Sequence, residues 1–236
     1  MVTRGSPTKI SVESQIVEIR SCVEWLEAKL PRRVEATDSF FSFKTSLYRA
    51  SLIWRMAELS RGALENFEKG RLALAILETR AAIETSAALW FMHAKLASTV
   101  ESRTLGNIDE FLSKLGWGSK ADPDPHEAFN VLKFVDCVDK DYKGFRDQYE
   151  ILSEYAHPNG AGTVSLFSSI DATNCWADFG GKTPDIDRSK WIGVTTLNVA
   201  VLSFMLSEKR FADIMPAFVA LCDRHSTPND AEKMRL

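Results

Sequence analysis

RLALAILETRAAIETSAALWFMHAKLA, residues 71 to 97, is the most apolar long stretch of the chain, and reading it as one helix settles the fold class. Wound at about 100° per residue, it places Ala73, Ile76, Leu77, Ile83, Ala87, Ala88 and Phe91 on one side. Arg80 and Glu84 fall among them, whereas Glu78, Thr85, Ser86 and His93 fall on the opposite side, where water is expected. An unpaired buried charge costs on the order of several kcal/mol. The two charges must therefore satisfy each other, meet further partners or bind something. Four residues apart, their heads meet on one helix face, so a structural ion pair and a functional site both fit.

Working outward, Gly70 permits a tight reversal, and the periodicity before it predicts a helix over about 44–69 with Leu52, Ile53, Met56, Leu59, Ala63 and Phe67 inward. The two long helices should pair antiparallel. Arg49 projects from the apolar side of the earlier one, a further candidate for the polar cluster, although it lies about 9 Å along the axis from the level of Glu84. Upstream, residues 1–10 read as a flexible tail. Val12, Ile16, Ile19, Val23, Leu26 and Leu30 then form a coiled-coil-like seam on a helix over about 11–30, which Pro31 ends. The seam covers under three heptads, which favours packing on the bundle over an autonomous zipper and leaves a homodimer through it as the alternative.

Downstream, Asn107 with Glu110 reads as a capping box opening a short helix that Gly116 closes. A loop to Pro125 is followed by predicted helices over about 126–140 and 144–157, the second stopped by Pro158. Thr163 to Phe167 and Asn174 to Phe179 have the β-branched and aromatic content of two short strands, a hairpin over about 163–179. A last helix spans about 188–224, kinked or split at Pro216, and residues 226–236 form a polar tail. The expected fold is mainly α, one domain over 11–225: an antiparallel helical bundle with a small β-hairpin insertion.

Composition excludes several classes. With 236 residues and 45% apolar content the chain buries a real core, so disorder of the whole is excluded. A net charge of −3 and a pI near 5.9 argue against a protein that coats DNA nonspecifically. Cys22, Cys137, Cys175 and Cys222 lie far apart, and no apolar leader opens the chain, which points to reduced thiols in a cytoplasm. Trp191 to Leu206 carries no charge but is shorter than the roughly 20 residues of a membrane span, so it reads as a core helix and no membrane association is expected.

The helix before Pro158 carries the remaining chemistry. Tyr149, Ser153 and His157 recur every fourth residue, with Arg146 in the same stripe, where the apolar side (Phe145, Leu152, Ala156) meets the polar side (Asp147, Glu150, Glu154). His157 can cap the helix end or, beside Glu84 or Tyr149, exchange protons near neutral pH. No His or carboxylate pair has metal-ligand spacing, and no Gly-rich phosphate loop is present, so neither metal nor cofactor is expected. Ser153 and His157 lack both an orienting acid and a Gly-x-Ser-x-Gly elbow, which argues against a serine hydrolase.

An Arg and Glu on a long central helix, Arg80 and Glu84, followed by a helix ending Tyr149, Ser153, Glu154, Tyr155, Ala156, His157, Pro158, Asn159, resembles a bacterial branch of the HEPN-like helical domains over roughly residues 45 to 205. The resemblance implies a helical bundle that often dimerises and serves in regulation, stress, defence or toxin–antitoxin systems. Many such domains are metal-independent ribonucleases that use an Arg, four to six intervening residues and a His. Here the nearest upstream Arg on the same helix is Arg146, about 16 Å along the axis from His157 against about 8 to 11 Å in the motif. Only His157 matches by type and helical location, and Arg80 would have to substitute in space.

Three readings follow. In the first, Arg80, Glu84, Tyr149, Ser153 and His157 line one polar pocket that binds a nucleotide, an RNA end or another anion, or holds an interface, with Arg146 and Arg49 as further ligand-binding candidates. In the second, His157 and Arg80 are catalytic groups of a metal-independent ribonuclease. In the third, the cluster is a buried structural network and the protein a scaffold.

Overall fold

The computed structural model describes residues 11–35, 39–122, 126–180, 183 and 185–225; the expected tails, 1–10 and 226–236, lie outside them. The structure is 74% helical, and its described residues form eight helices and a two-stranded antiparallel hairpin, a mainly α bundle as the periodicity requires. In chain order these are α1 (Val12–Ala28), α2 (Phe40–Glu68), α3 (Leu72–Ser102), α4 (Ile108–Trp117), α5 (Val131–Asp141), α6 (Phe145–Ala156), α7 (Val164–Phe167), β1 (Ser168–Asp171), β2 (Trp176–Phe179) and α8 (Ile186–Asp223).

The central helix is α3, the stretch quoted above extended by one further turn. Gly70, at φ 70°, makes the reversal from α2, and the Arg71 N–H closes it on the Asn66 carbonyl at 2.8 Å. The antiparallel register is fixed by polar side chains on the facing surfaces. Arg55 donates to Thr85 at 3.1 Å and Asn66 to Glu78 at 2.9 Å, so positions advance on one helix as they recede on the other.

On its other sides α3 packs against α8, α5 and α6. Most of its surface is therefore covered, and the side expected in water is not the side left open, which corrects the expectation from the helical wheel. Thr85 and Ser86, expected outside, are buried, whereas Leu77, expected inside, is 46% exposed. The hydroxyls tolerate burial because they are satisfied: Thr85 donates to the Ala81 carbonyl at 2.7 Å, and Ser86 pairs with Ser203 of α8 at 2.7 Å.

The α1 seam is spent inside the chain, with Ile19, Val23 and Leu26 buried in the common core against α2 and α8. The N-cap is Ser11, whose hydroxyl accepts from the Ser14 N–H at 3.1 Å. Lys44 of α2, 8% exposed, fastens α4 by donating to Asp109 at 2.6 Å and to Ser113 at 2.9 Å. By length and composition α8 could cross a membrane, but 56% of its apolar window is buried in the bundle, the placement of a core helix. None of the four cysteines forms a disulfide among the described residues.

Four local expectations are corrected. Asn107 stands at the N-terminus of α4, but its side chain accepts from Lys95 at 2.7 Å and does not cap the helix. Residues 126 to 130 are not helical, because Ser119 and Glu127 bridge there and Asn130 caps α5 by accepting from the Leu132 N–H at 3.0 Å. Thr163 to Phe167 is no strand: the turn after α6 continues into α7, with Thr163 N–H on the Asn159 carbonyl and Ser165 N–H on that of Gly160, both at 2.9 Å. Of the two outcomes expected at Pro216, a kink or a split, the split is corrected, since α8 continues unbroken to Asp223.

His93 is half-buried on α3 near Arg210 of α8. Burial first and the Arg210 charge second hold its imidazole below the ordinary 6.5. A histidine kept neutral in the fold but free to protonate when unfolded withdraws stability as the pH falls below 6.5, until the folded group also protonates. Urea unfolding at pH values of about 7.5 and 5.5 is therefore expected to show a smaller acid loss in His93→Gln than in wild type.

Candidate functional site

The helix that covers Arg80 is α6, and local chemistry fixes both of its ends. At its start the Asp139 carboxylate accepts from the Gly144 and Arg146 N–H groups at 3.0 and 3.2 Å, doing from α5 what an N-cap does. Those bonds, that of Arg146 foremost, hold the Asp139 carboxyl below its ordinary range. At its end His157 turns extended, ψ 150°, as the residue before Pro158 must. The chain then wraps so closely that a Cβ on Gly162 would lie 2.0 Å from the His157 carbonyl oxygen, so only glycine fits there.

With α6 laid across α3, four of the sequence candidates converge. Arg80 Nη2 donates to the Tyr149 hydroxyl at 2.7 Å, and Arg80 Nε donates to the Ser153 hydroxyl at 3.1 Å. The acceptors pass their own protons on: Tyr149 donates to Glu84 Oε1 at 3.2 Å and Ser153 to the Tyr149 carbonyl at 2.9 Å. Arg80 and Glu84 close the loop with an ion pair at 3.4 Å, and the guanidinium lies 5.1 Å from the centre of the Tyr149 ring. Tyr149 is buried, whereas Arg80 and Glu84 keep 32% and 25% of their side chains exposed. The network sits at a seam between helices rather than in a dry core.

The other candidates lie elsewhere. Arg146 bridges α5 and α6, bonding Asp136 and Glu150 at 2.6 Å each. Arg49 belongs to a separate cluster, forking onto Glu208 of α8 at 2.9 and 2.6 Å with its guanidinium over the Phe211 ring. His157 is exposed at the C-cap of α6, and among the described residues its side chain makes no hydrogen bond or ion pair. Glu208 was missed by the sequence reading. Its signal was present, since it falls between Phe204 and Phe211 on the buried stripe of α8, the same anomaly that singled out Arg80.

Electrostatics decide what the seam can hold. Ser153 opens onto a cleft of about 450 Å³ whose other polar walls are Asp147, Glu150 and Glu154. Three carboxylates thus wall the cleft beside Ser153, one of them, Glu150, paired with Arg146. Among the described residues no group of three His, Cys, Asp or Glu side chains is placed to hold a metal ion.

Because the pair is partly wet, Glu84→Ala is expected to cost about 1 kcal/mol, well short of the roughly 3 kcal/mol of a charge stranded in a dry interior. Tyr149→Phe removes both an acceptor for Arg80 and a donor to Glu84 and should cost about 1–2 kcal/mol. Urea midpoints of the two variants test this order; a loss from Glu84→Ala larger than that from Tyr149→Phe would show the ion pair, not the tyrosine, to be the anchor.

Fold and site together define a mainly α bundle with a half-buried Arg–Glu–Tyr–Ser network where a short helix covers the central one. No protein-family model, curated protein or solved structure matches the chain.

Proposed function

We propose that the chain is a HEPN-like helical module of bacterial stress or defence type, cytoplasmic, that works by binding and not by cutting RNA. In this reading Arg80, Glu84, Tyr149 and Ser153 position α6 on α3 and with it the polar helix end at His157.

The observation that carries it is how Arg80 is engaged. Its Nε and Nη2 groups are directed to Ser153, Tyr149 and Glu84, and the adjoining cleft is walled by carboxylates. A phosphodiester entering there would meet like charge at close range, where each uncompensated contact costs about 1 kcal/mol or more. A ribonuclease of the Arg–His kind needs the opposite, a cationic approach with both groups on one phosphate. His157 makes no hydrogen bond with Arg80, Glu84 or Tyr149, so the acid–base group and the charge stabiliser are not assembled.

The test is incubation of purified protein with a mixed RNA pool in EDTA, wild type beside His157→Ala, folding of both verified by circular dichroism. The expected result is intact RNA in both. Cleavage by wild type that disappears in His157→Ala would overturn the proposal and make His157 catalytic.

A further inference from the structure

We infer that a second cleft, remote in chemistry from the Arg80 seam, binds a small organic anion with an apolar body. It lies between the C-terminal end of α1, the segment at residues 31–35, α2 and α8, and has a volume of about 880 Å³. That is within the range of pockets that enclose small molecules, roughly 300–1,000 Å³.

Its walls are of two kinds. Val34, Ala50, Ile53 and Met205 supply an apolar surface, and Lys29, Arg33, Arg49 and Lys209 bring four positive charges to it against only Glu35 and Glu208. The two acids are already engaged, Glu35 with Arg33 at 3.7 Å and Glu208 with Arg49. Lys29 and Lys209 are exposed and have no carboxylate partner among the described residues; Lys29 rests 3.8 Å from the Trp25 ring centre. An excess of cations around an apolar hollow is notable in a chain whose net charge is −3.

Arg49 is the built element of this site. Two of its nitrogens fork onto Glu208, itself buried, and its flat face covers Phe211, so the guanidinium is fixed before any ligand arrives. Among the described residues its Nη1 group makes no hydrogen bond. A phosphate or carboxylate placed between Lys29, Lys209 and that edge would find cations whose geometry is partly prepaid by the protein fold, while an alkyl or ring portion would cover Ala50 and Ile53. The carboxylate-walled cleft at Ser153 offers neither feature. This inference does not depend on the reading of the Arg80 network.

The experiment is titration calorimetry of the full chain with octyl phosphate, inorganic phosphate and octanol, each carrying both, one or the other half of the recognised chemistry. Octyl phosphate is expected to bind at least about tenfold more tightly than either fragment, and more weakly as salt is raised. The double variant Lys29→Gln with Lys209→Gln changes only exposed side chains, so the fold is retained; it should lose at least about tenfold in affinity for octyl phosphate. Ala212→Glu, which adds a carboxylate on the exposed rim of α8, should weaken it as well. Absence of heat with octyl phosphate at about millimolar concentration, equal affinity in wild type and double variant, or octanol binding as tightly as octyl phosphate would each overturn the proposal.

Discussion

Phe67→Ala is expected to lower the stability of the fold by about 3–5 kcal/mol, the largest loss from any single truncation considered. Phe67 is fully buried at the end of α2, and its ring reaches across to α8 at Gly193. A Cβ placed on Gly193 would lie 2.5 Å from Phe67 Cζ and 2.7 Å from Cε1, with Ile76 of α3 at 3.6 Å. The absence of a side chain at Gly193 is therefore what lets three helices close around one aromatic ring. For a chain of this size the loss corresponds to a drop in melting temperature of roughly 10 °C.

The converse substitution tests the same contact from the other side. Gly193→Ala ought to gain up to about 1 kcal/mol from helix propensity, yet here it should lose about 1–3 kcal/mol by overpacking the ring. In a Phe67→Leu background the clash is relieved, so the two changes should couple by about 1 kcal/mol or more. Thermal and urea unfolding of the four proteins decides it. Additive losses would mean that α2 and α8 do not meet through this pair.

The second large effect is expected at Arg49. Arg49→Met removes the only charge paired with Glu208 among the described residues and strands a carboxylate whose side chain is 8% exposed. Breaking such a pair costs about 3–5 kcal/mol when it is fully buried; with Arg49 33% exposed at the cleft, about 3 kcal/mol is expected. The double variant Arg49→Met with Glu208→Met removes the stranded charge and should recover most of the loss, since apolar replacements of a buried pair are often neutral. A double variant as unstable as the single one would show that the loss came from packing and not from charge.

The Arg49–Glu208 and Arg80–Glu84 pairs differ in the expected cost of breaking them. Both pairs join an arginine to a glutamate at similar distances, 2.6 and 3.4 Å, and chemistry alone does not rank them. What ranks them is the carboxylate's access to water: Glu84 keeps 25% of its side chain exposed and Glu208 8%. The sequence leaves a dry ion pair and a wet site both open at Arg80, because a helical wheel identifies which residues share a face and not what covers that face.

The same limit explains the other corrections. By type, hydroxyl side chains such as Thr85 and Ser86 belong in water, yet a bonded hydroxyl is cheap to bury on a helix surrounded by neighbours. Composition makes Thr163 and Val164 strand residues, but the turn that follows Pro158 leads them into helical hydrogen bonds. A few residues of propensity count for less than one continuing ladder.

By itself the sequence determined the elements and the polar anomalies. The period of the apolar residues marked every long helix, Gly70 and Pro158 marked reversals and stops, and the four-residue spacings of Arg80 with Glu84 and of Tyr149 with Ser153 aligned each pair on a face. These are local properties, set by backbone geometry within a turn or two. Tertiary structure alone decided that α6 lies over Arg80, that Arg49 finds Glu208 rather than Glu84, and that carboxylates surround one cleft and cations the other. Those outcomes depend on which apolar stripes cover one another when the whole core is closed, a sum over residues more than a hundred positions apart that no local pattern contains.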